Sequence, residues 1–363
     1  MPLLTRVYAL YSIAHRSLGG PAIITPRLRR RFLLSLLFGL LVVTALSFVA
    51  DAPRVLDAAR HFAWAYVPAI LALTTFNYIL RWVKWQYYLR LIGVPVGRED
   101  SAAIFGCGLS MAMTPGKVGE LLKAWLLRAR AGTPMSVSAP IILAERLTDG
   151  VAMLVLASVG LLLYRHGWQV LLLIALIAVA AVTVVQSRAL SLRILAALEG
   201  VPALGKRAHN LRQFYESAYV LLGPRPLLTA LVIGVVSWSG ECVAFFLVLV
   251  GLGFPPSVGL LIRAAFVLAT STLVGSASLL PGGLGAAEAS SAGLLRLVLP
   301  GISGPKAVVA TLLIRFCTLW FGVAVGVASL ALFRKRLGLT SATPVPDEPA
   351  STRGGEPSVA RNA

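Results

Sequence analysis

The chain has 363 residues, of which 58% are hydrophobic and only 13% charged, and its apolar residues come in long runs, which leaves no room for a soluble catalytic domain. A net charge of +19 would suit nucleic acid, but the basic residues sit in short intervals between apolar runs, as in cytoplasmic loops that face anionic lipid, so nucleic acid is excluded as a partner. Cys107, Cys242 and Cys317 are scattered through apolar segments and form neither a metal-ligand cluster nor a disulfide framework.

Residues 1–27 read as a cytoplasmic leader that runs into the basic stretch of Arg27, Arg29, Arg30 and Arg31. The first span is expected at Phe32–Ala50. It is of full membrane length, starts late and lacks a small-residue cleavage site, which argues against a cleaved signal peptide. A second span, from Phe62 to Leu80, ends among Asn77, Arg81, Lys84 and Arg90 with Trp82, Trp85, Tyr87 and Tyr88, a mixture that marks a headgroup-level, cytoplasmic interface.

The apolar stretch 102–113 is too short for a crossing and runs into TPGKVGELLKAWLLRAR, so a re-entrant hairpin is expected there. Apolar helices follow at Val137–Tyr164 and Trp168–Val185. The interval 187–218, with Arg188, Arg193, Lys206, Arg207 and Arg212, should lie on the inner surface. Further crossings are expected at Leu227–Val250, Val258–Leu280 and Val308–Phe333, the last followed by Arg334, Lys335 and Arg336. Between them, PGGLGAAE from Pro281 cannot continue a regular helix without cost, and is a second re-entrant segment or a short crossing. Residues 337–363 read as a disordered cytoplasmic tail.

The expectation is an all-α, polytopic integral membrane protein of the cytoplasmic membrane. It would have about seven or eight spanning segments, one or two broken or re-entrant helices and both termini inside. The two Gly/Pro-interrupted segments, one in each half, resemble the pattern of internal repeats whose discontinuous helices meet at a central site. The halves show no obvious similarity in sequence.

Ionisable groups within apolar helices mark a path, a site or an interior pair. Glu145, Arg146 and Asp149 cluster on one helix, where spacings of three and four put them within mutual reach. They form either a self-neutralising packing cluster or a polar cavity that keeps net negative charge. Glu241 and Arg315, on separate spans, suggest an interhelical pair or a shared cavity. Arg263, near a helix end, can snorkel. Thr114, Lys117, Glu120 and Lys123, around Pro115, Gly116 and Gly119, suit an anion-binding nest at a broken helix start. The alternative is a simple turn at the interface. Pro281, Gly282, Gly283 and Gly285 form a second candidate nest, with Glu288 in the helix that follows.

No catalytic or metal-binding set appears. His15, His61, His166 and His209 fall in the leader or in loops, and no triad, metal-ligand spacing or dinucleotide fingerprint is found. No cofactor is expected.

The runs NYILRWVKWQYYLR (77–90), MTPGKVGELLKAWLL (113–127), AERLTDG (144–150) and LLPGGLGAAE (279–288) resemble a flippase-like membrane family. It includes the transmembrane region of bacterial lysylphosphatidylglycerol synthase and relatives linked to polyprenyl-linked glycan or hopanoid metabolism. The match covers residues 28–336, taken as one transmembrane domain. The resemblance implies a domain that moves, or helps to move, an anionic or prenyl-linked amphiphile between leaflets, with a membrane lipid or lipid-linked substrate and a lipid-biosynthesis protein as partners. In the bifunctional lysyl-lipid enzymes aminoacyl transfer belongs to a separate soluble domain, which is not expected here, since the chain ends about 30 residues after its last span. The resemblance places functional weight on the residues of the two nests and on Glu145, Arg146, Asp149 and Glu288. Lys117 and Lys123 would receive phosphate, while the charged groups at depth would replace water around a headgroup. The competing readings are a membrane enzyme acting on a lipid and a scaffold in an envelope-lipid pathway, with a hopanoid route as the runner-up pathway.

Overall fold

A computed structural model describes residues 51–114, 119–161, 168–189, 191, 193, 208–333, 336 and 337. The leader, the span expected at Phe32–Ala50, the residues Pro115, Gly116 and Lys117, and the tail beyond Leu337 lie outside the described residues. All regular structure among the described residues is helical. The helices are α1 (Ala52–Arg60), α2 (Val67–Leu91), α3 (Arg98–Leu109), α4 (Leu122–Ala131), α5 (Met135–Leu161), α6 (Trp168–Gln186), α7 (Ala208–Leu221), α8 (Pro224–Gly251), α9 (Val258–Ala277), α10 (Ala286–Val298) and α11 (Gly304–Phe333).

The expected count of seven or eight spans is not what the structure holds. Among the described residues three helices are long and apolar enough to cross a membrane, α8, α9 and α11. A fourth span results if α1 and the segment Trp64–Leu91, bent by 67°, are taken together. The reasons are local. Helix α5 has 27 residues but carries three charged groups near its middle. Helices α3 and α10 have 12 and 13 residues, well under the ~20 that a crossing takes.

Helix ends follow local chemistry. Ser257 caps α9 by accepting the Leu260 N–H at 3.1 Å, and α8 and α11 each carry a proline in the first turn, where no intrahelical donor is lost. Within α11 the hydrogen bonding widens into one π-turn over Phe316–Trp320, directly after Arg315.

Over its first two thirds the buried face of α8 is small and polar, with Ala230, Gly234, Ser237 and Gly240, while Leu228, Val232 and Val236 point outward; Phe245, Val248 and Leu249 are buried only toward its end. That is the reverse of a soluble helix. It suits a bilayer, where close backbone approach rather than apolar burial holds helices together.

Helices α2 and α8 run antiparallel in close contact. At one end the Ala63 N–H donates to the Gly251 carbonyl at 2.9 Å, and the Phe62 ring fills the space that a side chain at 251 would need. At the other end Tyr88 and Leu89 share a core with Leu221 and Leu222. In the middle Asn77 Nδ2 donates to the Ser237 carbonyl at 3.1 Å, and Ser237 Oγ donates to the Asn77 carbonyl at 3.2 Å. Asn77, read from the sequence as an interface residue, is fully buried. Two main apolar cores flank this crossing. One is built from α1, the start of α2, the end of α8, and α9 to α11; the other from the end of α2, α3, α4, the start of α5 and the start of α8.

Candidate functional site

Between the two cores lies a cavity of about 130 Å³, lined by residues of α2, α3, α5, α8, α9, α10, α11 and the approach to α4. About 10–15 Å³ suffices for one water, so the cavity has room for several. Of the sequence candidates, Glu120, Lys123, Arg146, Glu241, Gly282 and Arg315 line it. Glu145, Asp149 and Glu288 stand behind that lining as ion-pair partners of its basic groups or of their neighbours.

The first half of the chain supplies a linked charge cluster. Lys123 Nζ lies 2.5 Å from Glu145 Oε2, and Lys84 Nζ lies 2.5 Å from Asp149 Oδ1. Arg146 reaches Asp149 at 3.2 Å and Glu120 at 3.4 Å, and Arg81 approaches Asp149 at 4.0 Å. Lys84 and Glu145 are each only 1% exposed, so each depends on its partner, because a buried charge left alone costs several kcal/mol. The triplet on α5 is net negative by itself, as the sequence suggests. With its partners from α2 and the 119–123 segment, four basic groups meet three acidic ones and the local sign reverses. Lys123 also lies 4.5 Å from the Trp85 ring centroid, a cation–π contact that helps to hold a charge out of water. Gly108 makes room for it, since a Cβ there would stand 2.6 Å from the lysine stem.

The second half is simpler. Arg315 Nε donates to Glu288 Oε1 at 2.6 Å, and Arg315 Nη2 donates to the Gly282 carbonyl at 2.6 Å. The other Glu288 oxygen accepts the Gly285 N–H at 2.7 Å. The Gly283 and Leu284 amides donate to the carbonyls of Leu280 and Pro281. These amides, which the sequence offers to an anion, are therefore engaged within the segment, and its charged feature facing the cavity is Arg315. Gly282, Gly283 and Gly285 all have positive φ, between 60° and 86°, which explains the run of glycines.

Thr114 closes the other broken segment in a similar way. Its Oγ1 accepts the Gly119 N–H at 2.8 Å and donates to the Met111 carbonyl at 2.8 Å. A Cβ on Gly119 would collide with the Thr114 side chain. The two broken segments meet, with Met113 and Leu284 in one small apolar cluster with Val323.

The sequence left Glu241 and Arg315 as a pair or as neighbours in a shared cavity. They share the cavity, and Arg315 pairs with Glu288. Arg81, Lys84 and Trp238 were not among the sequence candidates. Arg81 and Trp238 line the cavity, with the Arg81 guanidinium 5.8 Å from the centroid of the Trp238 ring, and the buried Trp238 Nε1 has no hydrogen-bond partner among the described residues. A signal for the first two was present: Asn77, Arg81, Lys84 and Tyr88 recur at helical spacing on one face of α2.

A family model described as the lysylphosphatidylglycerol synthase TM region matches residues 33–326. The chain belongs to this family. It is also similar to a UPF0104 membrane protein of Methanothermobacter thermautotrophicus, at 24% identity over 323 residues that cover 82% of this chain and 94% of that protein. The chain is accordingly a multi-pass membrane protein of flippase-like type. The family match takes in both broken segments and the entire charged cavity.

Proposed function

We propose that this protein carries the headgroup of an anionic or prenyl-linked amphiphile across the bilayer through the charged cavity, while the lipid's tails stay in the hydrocarbon. The supporting observation is the cavity itself. Charges that are costly inside a membrane are gathered around a cavity with room for water, between two broken helices and behind helices whose outer faces are apolar. The basic excess around Arg146 favours a phosphate, with Arg81, Arg146 and the Trp238 N–H as donors. The opposite signs nearby replace the water that a headgroup gives up. The cytoplasmic membrane is the proposed location, with both termini inside.

The test is leaflet exchange in liposomes of defined composition, with a panel of labelled anionic, zwitterionic and prenyl-phosphate lipids. Exchange of at least one phosphate-bearing lipid is expected. Arg146→Gln should slow it by about tenfold or more, the loss that follows from one charged hydrogen bond of roughly 1.5–3 kcal/mol. A folded protein that exchanges none of these lipids would sink the reading and move weight to an enzyme or a scaffold.

A further inference from the structure

The two halves share more than a broken helix. The turns that end α2 and α8 are built alike, 160 positions apart. Val94 donates to the Leu89 carbonyl at 3.0 Å and Phe254 to that of Leu249 at 3.3 Å, while Gly93 and Gly253 both have positive φ, 68° and 93°. A proline follows each, at 95 and 255. Asn77 and Ser237, which exchange hydrogen bonds at the α2–α8 crossing, are separated by the same 160 positions. Each half then carries the sequence PGxxG, at 115–119 and at 281–285. Each short helix that follows ends near a positive-φ glycine, Gly132 or Gly301, and fourteen residues after each of these stands an arginine, Arg146 or Arg315.

The packing repeats as well. Helix α5 lies against α9 as α11 lies against α3, and α7 packs on α5 as α1 packs on α11. Each arginine is ion-paired to the carboxylate that closely follows its own PGxxG, Arg146 to Glu120 at 3.4 Å and Arg315 to Glu288 at 2.6 Å. Both arginines line the one cavity.

From these correspondences we infer that α1–α5 and α7–α11 are an internal inverted repeat, and that Arg146 and Arg315 are equivalent phosphate subsites, each serving one leaflet. The inversion follows from α2 and α8. They are equivalent and antiparallel, so the two-fold axis lies across them, between Asn77 and Ser237, in the plane of the membrane. The assignment of phosphate rests on the proposed transport. Each arginine exchanges its own carboxylate for the phosphate of the headgroup, and each carboxylate closes its hairpin when the arginine returns. The described conformation has the second clamp tight, with two bonds of 2.6 Å, and the first looser, at 3.2 and 3.4 Å, so Arg146 is the subsite presented.

The test separates the repeat from transport. Arg98 and Val258 are equivalent, exposed first residues of α3 and α9. Arg98→Cys and Val258→Cys, probed in membranes with a membrane-impermeant maleimide, should label from opposite sides. Labelling from the same side would overturn the repeat, whatever the lipid assay shows. The subsites are read from a cysteine in the cavity, Thr272→Cys. Glu288→Gln should raise its labelling from the Val258 side by about fivefold, and Glu120→Gln should do so from the Arg98 side. An increase from one common side, or none, would overturn the paired subsites. Should either variant elute as aggregate, Arg315→Lys and Arg146→Lys give the same readout. Opposite-side labelling without exchange of any phosphate-bearing lipid would instead leave the repeat standing and remove the phosphate assignment together with the proposed transport.

Discussion

Lys123 and Glu145 show what sets the cost of a charge inside this protein. The two side chains are 3% and 1% exposed and lie 2.5 Å apart, and the other Glu145 oxygen is buried without a hydrogen bond among the described residues. Removing the ammonium alone leaves a carboxylate with little to replace water, so Lys123→Met should destabilise the protein by about 3–5 kcal/mol. The double change Lys123→Met with Glu145→Gln removes both charges and should recover most of that loss. Thermal unfolding in detergent of the two single variants and the double variant measures the coupling. Equal losses in Lys123→Met and in the double variant would show that the pair contributes packing and little electrostatics.

At the scale of elements, the break at 279–285 is fixed by backbone geometry. Gly283 has φ 68°, and a Cβ there would stand 3.0 Å from the backbone of Gly275 in α9. Gly283→Ala therefore meets both left-handed strain and a backbone that cannot yield, and should cost at least ~1–3 kcal/mol. Gly293, inside α10, has open space around it. Gly293→Ala should leave stability unchanged or raise it by roughly 0.5–1 kcal/mol, through helix propensity alone. Melting temperatures of the two variants make the comparison, and a Gly283→Ala protein as stable as the native chain would mean that the break is not held by this contact. PGG was legible in the sequence as a break. Its engagement with Gly275, and the closing of its amides by Glu288 and neighbouring carbonyls, was not, because both depend on which helix lies alongside.

For the whole molecule, Asp100 ties distant parts of the chain together. Its carboxylate accepts from Arg336 Nε at 2.7 Å and from Arg130 Nε at 2.9 Å, joining the end of the last helix to α3 and α4. Burial by itself would push the carboxyl up, but the hydrogen bonds and charges of Arg336 and Arg130 outweigh it and hold the group below its ordinary range. A lowered folded pKa means that the tie is fully present above the ordinary aspartate value of about 3.9 and is lost as pH falls through the folded value. The segment around Arg336 should thus resist proteolysis at pH 7 and at pH 5 alike and loosen only in stronger acid. Asp100→Asn should show that loosening at pH 7, and a variant as resistant as the native chain would remove the tie from the account. Since these side chains are partly exposed, the effect is modest and weakens with salt.

Apolar runs with basic intervals settle membrane class and helical structure from the sequence, because transfer into hydrocarbon sums over consecutive residues and needs no knowledge of neighbours. The sequence also marked Arg146, Glu241 and Arg315, since a charge in an apolar helix stands out wherever its partner lies, and it marked Glu120 and Lys123 through the Pro/Gly break beside them. Only the tertiary structure decided that Lys84 serves Asp149 and that the α5 cluster becomes net positive. It also decided that the described residues hold three or four helices fit to cross a membrane, and that Asn77 meets Ser237 at the centre. The physical reason is that hydropathy belongs to a segment, whereas the partner of a buried charge, and the depth at which a helix breaks, are set by packing between segments that lie far apart in the chain.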